Sequence, residues 1–189
     1  APDRIALGAQ AADKASAIEL LVSLQEKGGT LTDREAYKEA ILAREAQTST
    51  AIEAGIAVPH AKSPSVARPT LAAMTLKEGV DYQAMDGQPS DLFFMIAAPM
   101  DGDVHLEILS HLMVLLMDPE FTSQLRAAAD PQTFLAVIDR FERAKFGEPE
   151  EDTPPLILAS TPEEPSAPKY RVLAVTACPT RIAHTYIVA

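Results

Sequence analysis

Four side chains carry the chemistry this sequence can offer: His60, His105, Arg44 and Cys178. His60 follows Gly55-Ile56-Ala57-Val58-Pro59, so an apolar extended run breaks into a loop at the imidazole. Proline fixes the approach and removes a competing N–H donor. An imidazole held there by one nitrogen presents the other as a nucleophile, and near pH 7 the neutral ring is well populated. The same placement also suits a half-buried loop histidine bonded to a carbonyl. His105 falls in the first turn of a helix that Asp103 can open, where free N–H groups and the positive end of the dipole favour an anion. It reads either as a donor to an oxyanion or as a surface histidine. His111, six positions on, lies about 120° round that helix and reads as structural or solvent-facing.

Arg44 follows Tyr37 and Ile41 at helical spacing, so its guanidinium leaves from an apolar face. A cation there needs an anion or a reach back to water. Its planar fork suits phosphate oxygens, and a pair with Glu45 or Glu53 is the alternative. Cys178 ends the strand-like run Val172-Leu173-Ala174-Val175 and precedes Pro179-Thr180 and a helix start. A thiol at a helix N-terminus gains thiolate character and becomes a phosphate acceptor; an inert buried cysteine is the competing reading. No glycine-rich phosphate loop, H-E-x-x-H or serine elbow occurs. One cysteine and four scattered histidines give no metal-ligand spacing, so no metal and no cofactor is expected.

These residues need a scaffold, and the chain has the material for one. It has 189 residues, 47% hydrophobic and 23% charged, with no tryptophan. That length buries a core without disulfides. Sixteen Lys+Arg against 27 Asp+Glu give a net charge of −11, which disfavours binding to nucleic acid. No apolar run reaches the ~18–20 residues of a membrane span, and the lone cysteine fits a reducing compartment. The stretch 147–168 holds six prolines, six acidic residues and no basic one, and reads as an extended solvated linker. Residues 1–146 read as a full domain, and 169–189 as the opening of a second.

Within the first domain, Asp13–Lys27 carries Ile18, Leu21, Val22 and Gln25 at helical spacing and stops at Gly28-Gly29. Thr32 and Glu35 read as a capping box opening a helix to about Gln47. Ile56–Val58, Leu71–Leu76 and Leu92–Ala97 read as strands, the last a continuous run suited to a central position. Gly79 and Asp86-Gly87 mark turns. Leu106, Leu109, Leu112, Met113 and Leu116 form the stripe of the Asp103 helix, which Asp118-Pro119 stops. Helices follow at about 119–128 and 131–144. The fold class is α/β, a mixed sheet flanked by helices on both faces.

At these residues a resemblance enters. Thr50-x-Ile52-x-x-Gly55-Ile56-Ala57-Val58-Pro59-His60-Ala61-Lys62 resembles the active-site motif of the fructose/mannitol-type (type 2) enzyme IIA domains of the bacterial phosphotransferase system. The similarity runs over roughly 3–144, with Arg44-Glu45 upstream and His105-Leu106-x-x-Leu109 downstream. Ala177-Cys178-Pro179-Thr180-Arg181-Ile182-Ala183-His184-Thr185-Tyr186 resembles the phosphocysteine loop of fructose-type IIB domains. The resemblance implies that His60 accepts phosphate from HPr or an HPr-like domain, that His105 bonds the phosphoryl oxygens, and that Arg44 neutralises them. Cys178 would accept next, and a membrane IIC domain would belong to the full-length protein. Two positions depart from the pattern: Glu53-Ala54 replaces small Gly-Asn-like residues, and Arg181 replaces a glycine.

The resulting expectation is a phosphoryl carrier of a fructose-type permease, with a IIA-like regulatory sensor as the alternative. A histidine-dependent hydrolase or metal protein is the poor third. Cys178 is not expected to take phosphate in this chain, since only the opening of its domain is present. The carriers must dock and leave, so the surface near His60 should be shallow and partly apolar. Met74, Met85, Met95 and Met100 are candidates for such adaptable lining, with core filling as the alternative.

Overall fold

The structure is a computed structural model, and it describes residues 2–101 and 104–147. The chain divides into a compact unit, Ala1–Pro149, and a second, Glu150–Ala189. The second unit, with Cys178 and most of the expected linker, lies outside the described residues, as does Asp103.

After one 3-10 turn at Pro2–Arg4, the order is β1 (Ile5–Ala9), α1 (Lys14–Lys27), α2 (Arg34–Gln47), β2 (Ile56–Ala57) and β3 (His60–Lys62). Then follow β4 (Thr70–Val80), β5 (Ser90–Ala98), α3 (Val104–Leu116), α4 (Pro119–Ala127) and α5 (Pro131–Phe146). The five strands form one sheet in the order β1-β4-β5-β2, with β3 also pairing β5. β4 and β5 are antiparallel, and β1, β2 and β3 run parallel to their neighbours. The expected mixed sheet covered on both faces is the fold observed.

The period-two rule sorts β5 between two cores. Phe93, Met95 and Ala97 face α1 and α2, where they meet Ile18, Leu21, Tyr37 and Ile41. Leu92, Phe94 and Ile96 face α3, α4 and α5, where they meet Leu112, Leu115, Phe121 and Phe134. A strand buried on both faces reads as an unbroken apolar run, which is why β5 was legible. Asp13, Asp118 and Asp130 cap α1, α4 and α5 through side-chain acceptance of backbone N–H groups.

Five expectations need correction. Asp33, not Thr32, caps α2 by accepting from Ala36 N, while the Thr32 hydroxyl donates to Ser65 O at 3.0 Å. Gly79 lies inside β4 at a register shift between Thr75 and Val80 rather than at a turn. Leu106 is 50% exposed, so the buried stripe of α3 comprises Leu112, Leu115 and Leu116, flanked by Ile108 and Leu109. His60 opens a strand, β3, where a loop was expected, and β1, which pairs β4, is a further strand that the sequence reading passed over.

Candidate functional site

β5 offers one free edge, and two short strands share it. β2 pairs its first half, Ile56 against Leu92, and β3 its second half, His60 against Ile96. Pro59 breaks the edge between them, as proline does where no ladder N–H is needed. Its carbonyl still accepts from Ile96 N at 3.0 Å. His60 therefore opens β3, half-buried, beside the carboxyl end of the central strand. Its Nδ1 lies 2.8 Å from the Val58 carbonyl. Only a protonated Nδ1 can make that bond, and the proton there leaves the Nε2 lone pair for a reaction. The carbonyl bond that one reading of His60 expected is present.

α2 packs against β3, and Tyr37 on that helix donates from its buried hydroxyl to Ile96 O at 3.2 Å. Burial pushes the Tyr37 phenol well above its ordinary range, so it stays a donor. Arg44 sits in the last turn of the same helix, half-buried, with Nη1 donating to Thr48 O at 3.0 Å. Neither Glu45 nor Glu53 pairs with it among the described residues. Glu45 belongs to the buried face that continues Tyr37 and Ile41, and it receives Lys14 Nζ at 2.8 Å. Sequence reasoning missed Glu45 as a buried anion, although the spacing 37, 41, 45 carried the signal.

His105 is half-buried in the first turn of α3, which packs on β5. The strand that pairs His60 ends at Ala98, and α3 begins at Val104. His60 and the start of α3 thus both lie toward the carboxyl end of β5. Met100 and Leu106 are 56% and 50% exposed at that end. Met74 and Met95 are core residues, and Met85 is fully exposed. His111 is exposed and stacks on Phe146 with ring centroids 4.4 Å apart.

The opposite end of β5 is a clamp. Arg126 donates to both oxygens of Asp91 and, from Nη2, to Ala54 O at 2.7 Å. A cavity of about 420 Å³ lies beside it, lined by Gly8, Thr75, Lys77, Asp91 and Arg126 among others. Its polar groups bond one another, Gly8 N donating to Thr75 Oγ1 at 2.9 Å. Glu53 is exposed in the turn at this end, four β5 residues away from the level of His60, or about 13 Å. Its charge is thus remote from the imidazole. No group of three or more His, Cys, Asp or Glu side chains among the described residues could hold a metal ion.

A mixed sheet with a histidine bonded to a carbonyl on its edge strand is the scaffold that the comparisons with known proteins assign to a family. Residues 1–141 match the family model for the phosphoenolpyruvate-dependent sugar phosphotransferase system, EIIA 2. The chain belongs to that family. It is 45% identical over 186 residues to the fructose-specific EIIABC component of Bacillus subtilis, covering 98% of this chain and 28% of that protein. It is 40% identical over 135 residues to the fructose-specific EIIA component of Haloferax volcanii, covering 71% of this chain and 88% of that one. The crystal structure of nitrogen regulatory protein IIA-Ntr from Neisseria meningitidis superposes with a TM-score of 0.69 at 27% identity, covering 73% of this chain and 94% of that one. No helix among the described residues is long and apolar enough to cross a membrane.

Proposed function

We propose that this chain takes a phosphoryl group onto Nε2 of His60 from the phosphohistidine of an HPr-type carrier and passes it to the cysteine of a IIB domain. In the first step the donor's P–N bond breaks and a new one forms to Nε2, while the proton stays on Nδ1, donated to the Val58 carbonyl. The single observation that carries this reading is the 2.8 Å bond from Nδ1 to Val58 O, which favours the Nδ1–H tautomer on an edge strand of the sheet. Arg44 supplies charge to the spread oxygens, and His105 supplies a donor. Met100 and Leu106 offer the apolar contact that a docking carrier needs. The net charge of −11 favours a basic-edged partner by steering.

The sugar is fructose in this reading, as the names of the Bacillus subtilis and Haloferax volcanii relatives suggest. The match to the Bacillus subtilis protein extends over the linker 147–168 and the segment 169–189, which supports the division into a IIA domain, a tether and the start of a IIB domain. Cys178 is then the next acceptor when its domain is whole, with a membrane IIC domain beyond and the IIA domain on the cytoplasmic side. The likeness to a nitrogen regulatory protein favours the second reading, a phosphorylation sensor that feeds no transporter. The cysteine loop weighs for the first.

Incubation with the phosphorylated carrier tests both the step and the residue. Wild type should take acid-labile label at His60, His60→Ala should take none, and His105→Ala should take it more slowly. Acid-stable label on Cys178, or full labelling of His60→Ala, would refute the assignment.

A further inference from the structure

Glu45 is a buried charge to which phosphoryl transfer gives no part. Its side chain is 4% exposed, and it is held by Lys14 from α1 at 2.8 Å. A buried carboxylate is costly unless paired and hydrogen-bonded. Thr50 donates its N–H at 3.3 Å and its hydroxyl to the two carboxylate oxygens, and Tyr82 lies against the same carboxylate. Thr50 opens the family-like motif, and no step above uses it.

From Thr50 the bonds lead to the imidazole. Val58 N donates to Thr50 O at 3.0 Å, and Val58 O accepts from His60 Nδ1 at 2.8 Å. The peptide unit that offers this carbonyl is Val58–Pro59. It has no N–H of its own, so it cannot be fixed through a donor as other peptides are. Its orientation depends on the bonds on either side: Val58 N to Thr50 O before it, and Ile96 N to Pro59 O after it. The second belongs to the sheet. The first is anchored only as firmly as Thr50.

We propose that Glu45 and Thr50 are positioning residues for His60, holding the Val58 carbonyl where it keeps the ring in the Nδ1–H tautomer. This rests on His60 being the acceptor. Lys14 neutralises Glu45 and so lets a carboxylate, the strongest acceptor available, do the anchoring inside the fold.

The test is Thr50→Val in the 189-residue chain, an isosteric loss of the hydroxyl. Two quantities are read: the His60 tautomer by long-range ¹H–¹⁵N NMR on unphosphorylated protein, and phosphoryl acceptance from a phosphorylated HPr-type carrier. The Nδ1–H fraction should fall, and kcat should drop roughly fivefold, the factor one hydrogen bond represents, with KM within about twofold. Thr50→Ser should restore both. An unchanged tautomer in folded Thr50→Val overturns the proposal whatever the change in stability. Should that variant not fold, Glu45→Gln, of equal volume, is read in the same way and decides by the same criterion. Wild type that takes no phosphate at His60 would remove the functional reading, while the NMR result would still decide the positioning claim.

Discussion

Two neighbouring residues in the turn before β2 should respond in opposite directions to substitution. Ala54 has φ +61° and Gly55 has φ +73°. An L-residue other than glycine in that region carries roughly 1–2 kcal/mol of strain, and asparagine tolerates it better than alanine. Ala54 is exposed, and its N–H donates to Asp86 Oδ2 at 3.0 Å, so a larger polar side chain meets solvent. Ala54→Asn should therefore stabilise by about 0.5–1 kcal/mol. Ala54→Gly removes more strain but frees the unfolded chain by about 0.4–1 kcal/mol, so its net gain is smaller. A Cβ on Gly55 would lie 3.0 Å from Asp91 Oδ1 and 3.1 Å from Pro89 O, inside the Arg126 clamp. Gly55→Ala should cost about 2 kcal/mol, from strain and crowding together. The chain has no tryptophan, so urea unfolding is followed by far-ultraviolet circular dichroism. A gain of about 1 kcal/mol corresponds to a midpoint rise of roughly 0.3–1 M. Phosphoryl acceptance by Ala54→Asn should be unchanged, because the turn lies far along β5 from His60. A midpoint for Ala54→Asn at or below wild type, or a neutral Gly55→Ala, would refute the reasoning.

Acid should weaken the fold in a defined window. Glu19 is held low chiefly by Lys38, Asp13 by the Ser16 N–H, Asp118 by Lys145 and Asp130 by the Thr133 hydroxyl. Each favours its charged form in the fold. Stability is then fully present above the unfolded values of 4.5 for Glu19 and 3.8 for the aspartates, and is lost as pH falls through the lower folded ones. Melting temperature should be flat down to about pH 4.5 and fall below it, and Asp130→Asn should flatten that fall. Phe94 is fully buried against Phe134, with ring centroids 6.0 Å apart, and Phe94→Ala should cost about 3–5 kcal/mol in the urea assay. Arg44→Lys keeps the charge but loses the fork, and should slow phosphoryl acceptance about tenfold with little change in stability.

The parts legible in sequence were those set by local chemistry. The helices expected at about 119–128 and 131–144 match α4 and α5, whose caps, Asp118 and Asp130, stand next to their first turns in the chain. β5 announced itself through its apolar run. What stayed hidden depended on partners far along the chain. β1 is five residues long, and only its pairing with Ala73, Met74 and Leu76 makes it a strand. Thr32 and Asp33 are equally good caps by type, and the Thr32 hydroxyl was claimed by Ser65, 33 positions away. Leu106 continues an apolar spacing, but its turn lies beyond the part of α3 that packs on the sheet. At the site, the motif located His60, while the role of Val58 required knowing which carbonyl faces the ring.

A phosphoryl carrier must satisfy two opposed demands. Its nucleophile has to be rigid, because transfer rests on alignment and charge rather than covalent chemistry. It must also be open, because donor and acceptor proteins visit in turn. A histidine in a cavity meets the first demand and one on a loop meets the second. The broken edge of this sheet meets both. β3 ties His60 to the buried Ile96 near the end of the central strand, and α2 grips the same level through Tyr37. Pro59 interrupts the edge just before the ring, and this frees the Val58 carbonyl to hold Nδ1 instead of serving a ladder. In the proposed reading the ring is anchored by Nδ1 at the Val58 carbonyl and reacts through Nε2. That division follows from edge geometry and does not depend on the identity of the carrier that docks.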